Sequence, residues 1–178
     1  MKNANKENVS DDIKKVTIRN IVILMEKIIF LIVIVFVVSK YFFEFARIDN
    51  NGMEPYLNDG DIALVYKKNK SYSVGDVVTF KLDNKRYVLR IAAKEGQTIS
   101  VSDTGLLLID GWPEENENGQ KTYVDESTFD KYPYRIAQGQ VFLLNDNRYE
   151  DNDSRAFGTI DVKSITGKIT SLVRTRNI

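Results

Sequence analysis

The chain has 178 residues, with 25 Lys and Arg balanced against 25 Asp and Glu, and with neither cysteine nor histidine. A neutral balance gives no overall basic field for nucleic acid. Without Cys or His there are no thiol nucleophiles, disulfides, zinc–thiolate sites or imidazole bases, so any hydrolytic chemistry must come from Ser, Thr, Lys, Tyr or carboxylates.

Residues 1–20 are polar and mixed in charge, with Lys2, Lys6, Lys14, Lys15 and Arg19 against Glu7, Asp11 and Asp12. They read as a short, partly disordered cytoplasmic tail. Residues 21–45 read as a transmembrane anchor. The stretch Ile28–Val38 is apolar without a break, and Glu26, Lys27 and Lys40 are placed near the membrane interfaces. Tyr41, Phe42 and Phe43 supply an outer aromatic belt. A buried core helix would show a polar face, and Ile28–Val38 has none. A cleaved signal would need small residues at a cut site, and Val37-Val38-Ser39 is a poor one. The Lys and Arg excess precedes the span, which predicts a single-pass protein of the cell membrane with the N-terminus inside and residues 46–178 outside.

Beyond Ile48 the pattern changes to short strands rich in Val, Ile, Leu, Thr and aromatics. They are expected at residues 61–66, 76–82, 85–92, 98–101, 106–109, 140–144 and 164–173. Asn58-Asp59-Gly60, Ser73-Val74-Gly75, Asp83-Asn84 and Asp103-Thr104-Gly105 punctuate them. This predicts a mainly β domain, an antiparallel folded sheet or barrel. Residues 110–139 are polar and acidic and read as a loop or small excursion. Glu114, Glu115, Glu117, Asp125, Glu126 and Asp130 lack the spacing of a calcium loop and are expected to be solvated, so no metal and no cofactor is expected.

Four stretches carry a resemblance. Asn51-Gly52-Met53-Glu54-Pro55-Tyr56-Leu57 is similar to Ser-Met-x-Pro-Thr-Leu, and Gly75-Asp76-Val77-Val78-Thr79-Phe80 to Gly-Asp-Ile/Val-Val-x-Phe. Tyr87-Val88-Leu89-Arg90-Ile91-Ala92 is similar to Tyr-Val-Lys-Arg-Val-Ile-Gly. Residues 145–158, Asn-Asp-Asn-Arg-Tyr-Glu-Asp-Asn-Asp-Ser-Arg-Ala-Phe-Gly, are similar to Gly-Asp-Asn-x-x-x-Ser-x-Asp-Ser-Arg-x-x-Gly. In this order and spacing, behind one anchor, they resemble the bacterial type I signal peptidases. The family's mechanism uses the Ser of the first box as nucleophile and the Lys of the third as its base. Such a lysine must be desolvated to be neutral near pH 7, and a serine hydroxyl is a poor nucleophile without a base in reach.

By this resemblance Gly52 stands at the nucleophile position, Leu89 at the base position and Asp151 at the position that orients the lysine, so no catalytic residue is intact. Asn50, two before the nucleophile position, is placed to line an oxyanion pocket and retains a donor. A shifted alignment would bring Asn51 or Met53 to the nucleophile position. Lys94, Ser100 and Ser102, or Lys67, Lys68, Lys70, Ser71 and Ser73, read as solvated turns rather than as an alternative pair.

The resemblance further implies a peptide groove between Ile48–Met53 and Arg86–Arg90, with Asn50, Asn51, Gly52, Met53, Pro55, Arg86, Tyr87 and Val88 binding the substrate as an added strand. The two substitutions are expected to leave that groove more apolar and roomier. Asp153 with Arg155, and Asp146 with Arg148, are expected to pair as structural braces. Among relatives of this kind are the dyad-lacking signal-peptidase-like pilus assembly proteins of Gram-positive bacteria, which implies pilin subunits and a class C sortase as partners. The alternatives are an active signal peptidase with another nucleophile, or one inactivated by mutation at Gly52, and a structural envelope anchor without peptide affinity.

Overall fold

The computed structural model describes the backbone of residues 2–69 and 71–174, with side chains from Val16 onward except Phe129. Two units are distinguished, residues 1–42 and 43–178. The first is helix α1, Lys2–Phe42. The polar segment expected to be irregular is therefore helical from Lys2. Within it Val16–Phe42, 27 residues, is long and apolar enough to cross a bilayer. Its length of about 40 Å exceeds the hydrocarbon core of about 30 Å. Phe43, Glu44 and Phe45, expected in the anchor, belong instead to strand β1, Phe43–Arg47.

The second unit is built of antiparallel strands, as expected from the turn-punctuated β pattern. The strands after β1 are β2 Ile62–Tyr66, β3 Val77–Leu82, β4 Lys85–Lys94, β5 Thr98–Val101, β6 Leu107–Ile109 and β7 Trp112–Pro113. They continue with β8 Tyr134–Arg135, β9 Gln140–Leu144, β10 Ile160–Asp161 and β11 Ile165–Val173, with a one-turn helix α2, Ser154–Phe157, before β10. Among the described residues the larger sheet has the order β1-β2-β11-β3-β4-β9-β10 and the smaller one β7-β6-β5-β8. Arg86 on β4 reaches Glu44 on β1 at 2.5 Å although β2, β11 and β3 lie between them in the sheet. The larger sheet is thus strongly coiled, the partly closed form that the expected barrel or folded sheet takes.

Two apolar cores fill the domain, and two strands serve both. Val141 and Leu143 of β9 enter the larger core with Val65, Phe80, Leu89 and Ile91, while Phe142 and Leu144 enter the smaller one with Ile99, Leu107 and Ile136. A strand buried on both faces reads in sequence as a continuous apolar run, as Val141–Leu144 does. β4 makes the same crossing through a register shift between Ile91 and Ala93, which sends Ile91 to the first core and Ala93 to the second. The 110–139 segment is mostly irregular, but β7, β8, a 3-10 turn at Glu126–Lys131 and bridges Leu106–Tyr123 and Glu115–Lys121 bind it to the smaller sheet.

Gly167 shows how closely the strands approach. β11 shifts register against β3 between Ile165 and Gly167, and a Cβ on Gly167 would stand 2.5 Å from Val65 Cγ1 and 2.8 Å from Tyr66 O. The obstacle is partly backbone and cannot swing aside. Gly167→Ala should therefore destabilise the chain by about 1–3 kcal/mol, read as a lowered denaturation midpoint in detergent. An unchanged midpoint would mean the two strands separate at no cost.

Candidate peptide-binding site

The last box folds around one carboxylate. Asp153 is fully buried and caps α2. Its Oδ1 accepts from the Arg155 backbone N–H and Nε, both at 3.0 Å, and its Oδ2 accepts from Arg155 NH2 at 2.8 Å and from the Asn145 N–H at 3.0 Å. The expected Asp153–Arg155 pair is present. Arg155 also donates NH1 to Arg148 O at 2.9 Å and NH2 to Glu150 O, which ties the loop 145–152 down.

Asp146 and Arg148 do not pair with each other, contrary to expectation. Asp146 holds Arg90 of β4 in a two-pronged bridge, 2.7 Å from Nε and 2.6 Å from NH2. Arg90 gives NH1 to Gly75 O at 2.8 Å and lies 4.9 Å from the Tyr56 ring. The hydrogen bond to Asp146 raises the Arg90 pKa against the opposing effect of burial. Arg148 instead meets Glu114 at 2.7 Å. Glu114 was expected in a solvated loop; it is buried, and its second oxygen accepts from Thr122 Oγ1. An acidic run along the chain does not reveal which of its members the fold turns inward.

Six of the eight expected binding residues converge. Asn50, Asn51, Gly52, Arg86, Tyr87 and Val88 line one cavity of about 150 Å³, together with Lys85, Asn145, Glu150 and Asn152. Met53 does not take part: it is fully buried in the larger core. Pro55 lines a separate hollow with Tyr56, Asn116, Glu117, Asn118 and Asp146. The first wall is a turn over residues 50–57 rather than a strand, so only β4 offers an extended edge. Over Arg90–Lys94 that edge is paired with β9, but over Lys85–Leu89 no strand pairs with it among the described residues.

The cavity is lined mainly by polar side chains, and neither Leu89 nor Gly52 opens apolar space in it. Leu89 is 2% exposed and packs in the larger core, and the side chain of Asn145 fills the space beside Gly52. Four asparagines and two cationic side chains face the void instead. Asn50 points its Oδ1 at the Gly52 N–H, 3.0 Å away, so that N–H is not available to a developing oxyanion. Asp151 is exposed and absent from the lining, whereas its neighbours Glu150 and Asn152 are part of it. Asn145, Lys85, Glu150 and Asn152 were not singled out from the sequence. For Asn145 a signal was present, since it begins a box that opens with glycine in the pattern it resembles. Lys94, of the alternative pair, is engaged through Nζ with Tyr72 O at 2.6 Å; Lys70 lies outside the described residues.

These features fall in a chain whose residues 21–173 match the family described as Signal peptidase, peptidase S26. The chain belongs to that family. It is similar to the protein named Signal peptidase I from Bacillus licheniformis, 28% identical over 154 residues, covering 80% of this chain and 83% of that one. It is also similar to the protein named Inactive signal peptidase IA from Staphylococcus aureus, 31% identical over 151 residues, covering 80% and 85% respectively. A solved signal peptidase I from Enterococcus faecalis aligns with a TM-score of 0.42 and 22% identity over 57% of this chain and 98% of that one. Relatives with and without the word inactive in their names thus lie at similar distance.

Burial pushes the Glu114 carboxyl above its ordinary range, outweighing the opposing pull of Arg148 and Thr122. A carboxyl raised on folding contributes stability that is fully present below its unfolded pKa of about 4.3 and is lost as the pH rises through its folded value. Glu114→Gln removes this dependence. The melting temperature of the variant minus that of the native chain should therefore increase from pH 4 to pH 7, whatever its value at the acidic end. A difference that stays constant or falls would place the Glu114 pKa at or below normal.

Proposed function

We propose that this protein is a membrane-anchored, catalytically inactive signal peptidase homologue that binds extended peptide along the free edge of β4. Its biological role is to assist pilin polymerisation beside a class C sortase, with the β domain on the outer face of the cell membrane. One observation carries the reading: a strand edge, Lys85–Leu89, that no strand pairs among the described residues borders a preformed polar cavity whose nucleophile position, Gly52, carries no attacking group.

Inactivity is supported at three separate atoms. Glycine at 52 has no oxygen to activate. Leucine at 89 has nothing to titrate. The Gly52 N–H is already taken by Asn50. Peptide affinity needs none of these, because strand addition draws on main-chain donors and acceptors and on side chains at the rim. The amides of Asn50, Asn51, Asn145 and Asn152 are of the type that pairs with peptide groups. The relative named inactive supports the same reading. Lys2, Lys6, Lys14 and Lys15 before Val16–Phe42, with Arg19 in its first turn, support the orientation.

The full chain in detergent should leave precursor peptides with an Ala-x-Ala-like site uncut, and should bind pilin-derived extended peptides with micromolar or weaker affinity, about −8 kcal/mol at most. Asn152→Trp, at an exposed position on the cavity wall, should weaken binding by at least about tenfold without altering the fold. Cleavage above a mock-purified control would make the protein an active peptidase. No binding at millimolar peptide would favour a purely structural anchor.

A further inference from the structure

The volume beside the Gly52 Cα is closed. A Cβ built there collides with the side-chain oxygen of Asn145 and stands 3.2 Å from its Cγ and 3.2 Å from Asn50 Oδ1. Backbone conformation does not account for the glycine, since Gly52 is not among the glycines with positive φ. Space does. The contact is not with the mobile tip of a long side chain. Asn145 is 5% exposed, its N–H is held by buried Asp153 at 3.0 Å and its Nδ2 donates to Glu150 O at 3.2 Å. Gly52 is equally fixed: its N–H goes to Asn50, and its carbonyl accepts from the Asn147 N–H at 2.9 Å. Neither wall can withdraw without giving up hydrogen bonds.

The two positions also exchange bulk in the boxes. Where the resembled pattern has Ser in the first box and Gly at the head of the last, this chain has Gly52 and Asn145. Relative to that pattern the side chain is smaller on one wall and larger on the other, and the larger one occupies the space beside Gly52.

We propose that Asn145 keeps the nucleophile position closed: its carboxamide occupies the volume that any side chain at 52 requires, so that Gly52 and Asn145 form a sterically matched pair and a change at Gly52 alone cannot install a working nucleophile. The word nucleophile rests on the reading given under Proposed function, whereas the steric pair does not depend on peptide binding or on any past activity. Removal of catalysis is then doubly secured, once by the missing hydroxyl and once by the filled space. Restoring it takes a small residue at 145 in addition to Ser at 52 and Lys at 89.

Because the chain has no cysteine, Gly52→Cys places a single thiol at this point. In the full chain in detergent, that thiol should react with a small maleimide at least about tenfold faster when combined with Asn145→Ala than when introduced alone. Ser171→Cys, at an exposed position of β11, should react equally fast in both backgrounds. A double-mutant cycle on stability supplies an independent measure. Gly52→Ala should lower the melting temperature by at least about 4 °C in the native chain and by less than half of that beside Asn145→Ala. Asn145→Asp, which keeps the shape and loses the Nδ2 donor, should give no such relief. If Gly52→Cys folds only together with Asn145→Ala, the steric pair is demonstrated in its strongest form. Strictly additive melting shifts would overturn the proposal, as would equal thiol rates in the two backgrounds or relief by Asn145→Asp. A chain that shows the coupling but binds no peptide would refute the peptide-binding role and leave the pair intact.

Discussion

The buried carboxylate of Asp153 is the constraint on which the rest of the site depends. An ionised carboxylate away from water needs its lone pairs filled, and Asp153 fills them with the guanidinium and N–H of Arg155 and with the N–H of Asn145. Breaking such a pair by removing one partner costs about 3–5 kcal/mol. That requirement forces the chain from 145 to 155 into one closed loop. Arg155 then reaches the carbonyls of Arg148, Glu150 and Tyr123. The side chains that meet the cavity from this loop, Asn145, Glu150 and Asn152, are therefore held by a single ionic centre rather than by three separate contacts.

A second ionic centre joins the loop to the sheet. Asp146, next to Asn145, holds Arg90 at the point where β4 leaves its free edge and begins to pair with β9. The carbonyl of Asp146 accepts from Asn116 Nδ2 at 2.8 Å, which brings in the segment after β7. A third pair, Glu114 with Arg148, is buried behind it. Burial pushes the Arg148 pKa down while it pushes that of Glu114 up, as expected when desolvation outweighs mutual attraction. Such a pair is weak support for stability, and replacing both members by apolar residues is often neutral. Its effect here is on geometry: it fixes where the excursion from the smaller sheet lies.

The frame is complete with glycine at 52 and leucine at 89. Met53, Leu89, Phe80 and Ile91 share one core, so an apolar residue at 89 extends the packing and avoids the cost of desolvating an amine. The Asp and Arg residues of the boxes serve ionic centres that are indifferent to the nucleophile. Such a scaffold holds the cavity, its polar lining and the β4 edge that is open among the described residues without an oxygen at 52 or an amine at 89.

Most of the β pattern was legible in the sequence because turn residues and apolar runs are local. Seven strands lie within two residues of where the periodicity places them. β1 was hidden by its continuity with the apolar helix, and β7, β8 and β10 are two-residue pairings that no local pattern marks. The sequence by itself determined the apolar span, the β class and the residue types at 52, 89 and 151, because these follow from hydropathy, from turn chemistry and from motifs that align by position. Only the tertiary structure decided that Asp146 holds Arg90 and not Arg148, that Glu114 is buried, that Met53 is core and that Asn145 fills the space beside Gly52. Each of these is a contact between segments 30 or more residues apart or across a closed loop. Such contacts are set by how the coiled sheet brings strand ends together, and spacing along the chain carries no record of that.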